Sequence, residues 1–252
     1  MKKNNMKKAA TDKRAARSIP HCEKRTFLCI CIRAAVIFFC TVVGGYGIWH
    51  APESDEAEMK QELLQHEQTL LQENSPLPSL TPQQATPSAV SAEETFPQTI
   101  AVIGDSVFLG AAPSFQKIQK NAVIDAKISR QVRHGLEVAE KLDKKGKLGK
   151  TVLISLGTNG EFNPATGQEL IDYLGTQRTI YWITAYGKNL EFQDEVNGTI
   201  QALAKKNENV HLIAWDKEAK KHPDWFYQDG THLNPKGQDG FAHFIKSRIE
   251  VN

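Results

Sequence analysis

After residue 40 the chain contains no cysteine; its four, Cys22, Cys29, Cys31 and Cys40, all lie at or before that point. Most of the sequence therefore has neither a disulfide framework nor a thiol, and its stability has to come from an ordinary apolar core. A metal centre is equally poorly provided for. His134, His211, His222 and His243 show no ligand-like spacing with one another, so surface or edge positions are expected for them, and neither a metal nor an organic cofactor is indicated. A basic face is missing as well. The formal net charge is +2, and the excess is concentrated in the first 25 residues, at Lys2, Lys3, Lys7, Lys8, Lys13, Arg14, Arg17, Lys24 and Arg25. Nothing in that distribution implies nucleic acid as a partner. No internal repeat is present.

Long apolar runs are rare, with one exception. From residue 27 to 49 nearly every residue is apolar, and roughly 20 such residues cross a bilayer core. Arg33 stands near the start of the run, where a long side chain reaches the interface, and Tyr46 and Trp49 mark its other end. Lysine and arginine crowd the near flank, while Glu53, Asp55, Glu56 and Glu58 occupy the far one. The positive-inside rule then makes 1–26 a basic cytoplasmic tail and 27–49 a single-pass membrane anchor, with everything beyond it outside the cell. A cleavable signal peptide is the competing reading, but the run exceeds an ordinary signal core and no clear Ala-x-Ala site follows.

Residues 50–97 read as a stalk and linker. Leu63, Leu64, Leu70 and Leu71 recur at a seven-residue interval among Glu and Gln. This predicts a short amphipathic helix within 52–74, a solvated stalk in preference to a dimerising coil. Pro76, Pro78, Pro82, Pro87 and Pro97, set among Ser, Thr and Gln, then predict a spacer with little to bury.

Residues 98–252 have the size of one domain. Five short β-branched runs, 99–103, 123–128, 151–156, 179–184 and 210–215, read as strands apolar on both faces, the mark of a buried parallel sheet. Between them Val132, Leu136, Ala139 and Leu142 share a helical face, as do Phe192, Val196, Ile200 and Leu203, and later Phe241, Phe244, Ile245 and Ile249. Asn163-Pro164 and Asn234-Pro235 each predict an N-cap followed by proline at the first helical position. Strand and helix in strict alternation imply an α/β fold, a three-layer α/β/α sandwich around a five-stranded parallel sheet.

In an open parallel sheet, ligands bind outside the carboxyl ends of the strands, which directs attention to the residues just after each strand. Gly104-Asp105-Ser106 follows the first. Glycine permits a tight turn, and the serine hydroxyl is presented where a helix begins, although the same tripeptide is also ordinary N-cap chemistry. Asp105 is read as bracing that turn. Gly157-Thr158-Asn159-Gly160 follows the third strand; two glycines turn the chain around Asn159, whose amide then either donates into the crevice or merely completes a turn. Asp229-Gly230-Thr231-His232 precedes the last helix. A carboxylate three residues before an imidazole can accept the Nδ1 proton and leave Nε2 free to take a proton from a serine; a surface turn with a stray histidine is the alternative. Trp225, Phe226 and Tyr227, just before this turn, either line an acyl or sugar site or belong to the core.

Together, in this order and spacing, the three segments resemble the SGNH (GDSL-type) hydrolase family over roughly residues 98–250. Gly104-Asp105-Ser106 is similar to the family's first block, Gly157-Thr158-Asn159 to its third, and Asp229 to His232 to its final Asp-x-x-His block. The resemblance implies a flavodoxin-like sheet order, Ser106 as nucleophile, His232 as general base and acid, and Asp229 as the group that orients His232. It also implies an oxyanion hole built from the Ser106 backbone N–H, the Asn159 amide and a backbone N–H after the second strand. There the chain departs from the pattern: Ile128-Ser129-Arg130-Gln131 stands where the family commonly has glycine, which leaves Ser129 as the donor and the loop's shape as the question.

Within the family, the Gly-Thr-Asn-Gly turn, the Asp-Trp-Phe-Tyr approach to Asp-Gly-Thr-His and the anchor-plus-spacer layout resemble the extracellular domain of bacterial peptidoglycan O-acetyltransferases. That resemblance implies transfer of acetyl to the C6 hydroxyl of N-acetylmuramic acid in wall glycan through an acyl-serine. Those enzymes usually carry a multi-span acyltransferase module, so a separate membrane partner would have to supply acetyl here. The alternatives are an SGNH esterase or deacetylase of wall glycan or lipid esters and a catalytically silent wall-binding module.

Overall fold

The computed structural model describes residues 55–73 and 99–249. The proposed cytoplasmic tail, the anchor over 27–49 and the proline-rich spacer lie outside the described residues. Among the described residues, no helix is long and apolar enough to cross a membrane.

Five parallel strands form one sheet in the order β2-β1-β3-β4-β5. They are β1 (Ile100–Gly104), β2 (Ala122–Ala126), β3 (Thr151–Ser155), β4 (Thr179–Ile183) and β5 (Val210–Ile213). Each predicted strand is present, and the sheet is parallel as its doubly apolar runs imply. Two of the expected ends move by two residues and the others by one. The second strand stops at Ala126 rather than 128, because its partner β1 ends at Gly104 and the register pairs Gly104 with Ala126. The fifth stops at Ile213 rather than 215. Trp215 instead opens a short helix, and Leu212 is exposed on this edge strand instead of buried on both faces.

The helices divide between the two faces. One apolar core unites β1, β2 and β4 residues with α2 (Ser106–Ile118), α6 (Trp215–Ala219) and α7 (Pro235–Ile249), around Phe108, Phe115, Trp215 and Phe241. A second core, on the opposite face, unites the alternate strand residues with α3 (Gly135–Lys144), α4 (Pro164–Leu174) and α5 (Gln193–Lys206). Alternation along β1 shows the division: Val102 belongs to the first core and Ala101 and Ile103 to the second. Both predicted Asn-Pro helix starts form. The Asn163 side chain accepts from Ala165 N at 2.9 Å, and the Asn234 side chain accepts from Gly237 N at 3.0 Å.

The helix expected near residues 52–74 forms as α1 (Asp55–Glu73), but it is docked rather than a solvated stalk. Leu63 and Leu70 are buried in the core that contains Phe108 and Phe115, whereas Leu64 and Leu71 point outward, 46% and 62% exposed. Only one leucine of each adjacent pair faces the domain, as a period of 3.6 requires. α1 and all the elements from β1 onward belong to one unit, Glu53–Asn252.

Candidate active site

The strand order changes direction between β1 and β3, so the crevice beyond their carboxyl ends is where a parallel sheet opens to a ligand. Ser106 follows β1 and Asn159 follows β3. Ser106 is the first residue of α2, and Asp105 is its N-cap, accepting from Val107 N at 3.0 Å. Gly104 has to be glycine. A Cβ there would stand 2.8 Å from the Phe108 Cβ and 3.1 Å from the Ala126 Cβ, so a side chain would drive the first turn of α2 away from β2.

The turn from 229 to 232 arranges its own imidazole. One Asp229 oxygen accepts from the backbone N–H groups of Thr231 and His232 at 2.9 and 3.0 Å, and the other lies 2.5 Å from His232 Nδ1. Gly230 takes the left-handed conformation (φ 68°) that this tight turn needs. With Nδ1 donating to the carboxylate, Nε2 is left as acceptor, and it lies 3.0 Å from Ser106 Oγ. Residues 126 positions apart in the chain thus meet in hydrogen-bond contact. Burial pushes the Asp229 carboxyl up, but the His232 ring and the two backbone N–H groups together hold it below the ordinary carboxylate range.

Three loops around Ser106 are tied to one another. Asp105 is fully enclosed and accepts at 2.6 Å from the Thr158 hydroxyl, joining the β1 and β3 loops. Burial pushes its carboxyl above the ordinary range, against the pull of the Thr158 hydroxyl and the Val107 N–H. Asn159 Nδ2 donates to Arg130 O at 3.3 Å, and Gln131 Nε2 donates back to Asn159 O at 2.6 Å, joining the β3 and β2 loops. Arg130, 8% exposed, pairs with Asp125 at 2.6 Å and donates to Gly104 O at 3.0 Å, joining the β2 loop to the strand that ends at Ser106. Gly157 and Gly160 both have positive φ, 142° and 124°, as the turn around Asn159 requires.

Ser129 resolves the question of loop shape. Its φ is 57°, the only positive φ of a non-glycine residue among those described, so serine here adopts the backbone that glycine would supply.

Other sequence-level candidates fall to structural roles. Trp225 and Phe226, both half-buried, pack against the core at Trp215, with ring centroids 6.2 Å from it in both cases. Tyr227 donates its hydroxyl to Glu62. His222 stacks on Trp225 at 3.8 Å, and among the described residues no cluster of His, Cys, Asp or Glu could hold a metal ion. The sequence assigned no role to Thr158, Arg130 or Gln131, which knit the loops; a hydroxyl directly before Asn159 is a signal that could have found Thr158, and nothing local marks the other two. A cleft of about 480 Å³ opens beside this rim, lined by Ser129, Arg130 and His134 and by Glu67 and Leu71 of α1, but Ser106 and His232 do not line it.

This sheet order, with a serine, an imidazole and a carboxylate gathered beyond its carboxyl edge, is the arrangement that the resemblance to the SGNH (GDSL-type) hydrolases implies. No family model matches the chain. Its sequence is 32% identical over 166 residues to O-acetyltransferase OatA of Staphylococcus aureus, covering 66% of this chain and 27% of that protein. It is 34% identical over 138 residues to YrhL of Bacillus subtilis, a protein provisionally named as a peptidoglycan O-acetyltransferase, covering 55% of this chain and 22% of that one. The chain thus spans about a quarter of the length of these relatives. Among solved structures it resembles the C-terminal catalytic domain of Streptococcus pneumoniae peptidoglycan O-acetyltransferase A carrying a methylsulfonyl adduct. That likeness has a TM-score of 0.55 and 24% identity, and it covers 61% of this chain and 93% of that domain.

Proposed function

We propose that this domain is a serine acyl-transfer enzyme that moves an acetyl group onto wall peptidoglycan, at the C6 hydroxyl of N-acetylmuramic acid, on the outer side of the membrane. The observation that carries the reading is the 3.0 Å contact of Ser106 Oγ with a His232 ring whose other nitrogen is held by Asp229. Ser106 Oγ attacks the acyl carbonyl carbon while His232 Nε2 takes its proton. The tetrahedral oxyanion is met by the Ser106 and Ser129 backbone N–H groups and by the Asn159 amide. His232 returns the proton to the leaving oxygen as the carbonyl reforms, which leaves an acyl-serine. The sugar hydroxyl then gives its proton to His232 and attacks the acyl carbon, and Ser106 Oγ leaves, taking that proton back from His232. None of these steps needs a cofactor.

Acetyl as the acyl group and peptidoglycan as acceptor are supported by the names of the relatives. A separate multi-span membrane acyltransferase is the partner we propose to supply acetyl across the membrane. The apolar run at 27–49 would hold the domain at the outer surface.

The test uses the full chain in detergent with a chromogenic acetyl ester, then with muro-oligosaccharide added. Ester cleavage that disappears in Ser106→Ala, with O-acetylated sugar formed once acceptor is present, is the expected result. Free acetate alone in the presence of acceptor would make it an esterase, and equal rates for wild type and Ser106→Ala would overturn the triad.

A further inference from the structure

Glu62 of α1 lies far before the domain that the strand and helix pattern delimits, yet it is bonded to the segment that carries Asp229 and His232. One of its carboxylate oxygens accepts from the Tyr227 hydroxyl at 2.9 Å, and the other accepts from Gln238 Nε2 at 2.9 Å. These two partners bracket the turn. Tyr227 precedes Asp229, and its backbone N–H donates to His232 O at 2.9 Å, while Gly230 N closes back on Tyr227 O at 2.9 Å. On the other side, Gln238 is buried and the same Nε2 donates to Leu233 O at 3.1 Å, the carbonyl directly after His232. A single carboxylate therefore fixes both ends of the stretch from Tyr227 to Leu233.

α1 is itself held independently of Glu62. Leu63 and Leu70 are buried against α2, with Leu63 Cδ2 close to Gly110, and Glu73 accepts from Gln116 at 3.1 Å near the helix's end. Docking alone would be served by an apolar residue at position 62. A half-buried carboxylate costs desolvation, which is offset only where donors are aimed at it, as two are here. The Tyr227 hydroxyl stays a donor over the working range, since burial and then the Glu62 bond push its ionisation upward.

We propose that α1 is part of the catalytic unit and that Glu62 is a positioning residue, which holds the Asp229–His232 turn at the distance Ser106 requires by gripping Tyr227 and Gln238. The proposal rests on the acyl-transfer reading for its kinetic consequence but not for its structural one.

The experiment compares full-length wild type with Glu62→Ala, Glu62→Gln, Tyr227→Phe and Glu73→Gln by acetyl-ester kinetics, thermal melting and amide hydrogen exchange, well below the melting temperature. Glu62→Ala is expected to lower kcat about tenfold with KM within about twofold, since small misplacements of reacting groups cost that much or more. Glu62→Gln keeps a carbonyl acceptor and should recover most of the rate. Tyr227→Phe should lower kcat in the same direction, and the double variant with Glu62→Ala should be no worse than about the single one. Glu73→Gln should leave kcat unchanged. In Glu62→Ala, exchange should rise at 227–233 while the stretch around Leu63 and Leu70 stays protected. Unchanged kcat and unchanged exchange at 227–233 would overturn the proposal, and so would a loss accompanied by equal deprotection of the whole of α1, which would mean only undocking. If wild type cleaves no ester at all, the function fails by that result, and the exchange at 227–233 still decides the role of Glu62.

Discussion

The Thr158 hydroxyl donates to the buried Asp105 carboxylate at 2.6 Å, so the loop that carries Ser106 and the loop that carries Asn159 share one enclosed acceptor. Asp105 spends its other oxygen on the first turn of α2. The aspartate of the Gly-Asp-Ser segment thus braces the site and does not touch the reacting atoms. Thr158→Val removes the donor while keeping the shape. It should cost about 1–3 kcal/mol of stability, because a buried acceptor is left short, and it should lower kcat with it. Denaturant unfolding together with ester kinetics checks both.

The same carboxyl has a pH signature. Burial raises its native pKa above the unfolded value, so the native state binds this proton more tightly. The stability that proton linkage contributes is full below the ordinary aspartate pKa and is lost as pH rises through the native value. Asp105→Asn removes the titration and keeps an oxygen for the Val107 N–H. Melting temperature measured from acid to neutral pH should fall less steeply in Asp105→Asn than in wild type; parallel profiles would refute the assignment.

Asp229 behaves oppositely. Burial acts to raise it, but His232 and two backbone N–H groups prevail and lower its native pKa. Its contribution to stability is present above the unfolded aspartate value and is lost as pH falls through the native one. The Asp229–His232 link should therefore persist into acid, and Asp229→Asn should lower kcat on the order of 10³- to 10⁴-fold by presenting the wrong imidazole tautomer. A pH series of ring-proton NMR on His232 gives an independent reading of the link.

The proposed oxyanion role of Asn159 can be separated from its part in holding the loops. Asn159→Ala removes the proposed donor together with the bonds to Arg130 O and the Thr158 hydroxyl oxygen, and should lower kcat about 10²- to 10³-fold. Gln131→Ala removes only the bond that Gln131 makes to Asn159 O, so it disturbs the loop and spares the donor. Its loss should be at least tenfold smaller. Equal losses would mean that loop placement, and not the amide, is what matters.

At Ser129 the left-handed backbone costs a non-glycine residue roughly 1–2 kcal/mol. Ser129→Gly should therefore stabilise the fold modestly, by up to about 1 kcal/mol after the added flexibility of the unfolded chain is counted. Activity should be retained, since the donor proposed at this position is a backbone N–H. Ser129→Val should destabilise and lower kcat, because a β-branched residue resists this conformation.

How much of this was legible beforehand follows from the range over which each feature is set. The five strands were readable because apolar runs of four to six residues are local, but their ends were not. β2 stops at Ala126 because β1 gives out opposite it, and Ile128 is apolar for a different reason, as a wall of the cleft beside the rim. Leu63 and Leu70 announced a helix face, yet what Leu63 meets on α2 is Gly110, which carries no side chain to announce a partner. Glu62 gave no signal, since a glutamate in an acidic helix looks like any solvated charge.

Turn chemistry and hydrophobic periodicity are short-range, so the residue order alone established the alternation of strand and helix, the three polar segments after β1, after β3 and before α7, and the internal Asp229–His232 link, whose members are three residues apart. The contact between Ser106 and His232 and the grip of Glu62 on the 227–233 segment were decided only when the chain closed. They depend on sheet order and on which helices cover which face, and no local pattern encodes the distance between residues more than a hundred positions apart.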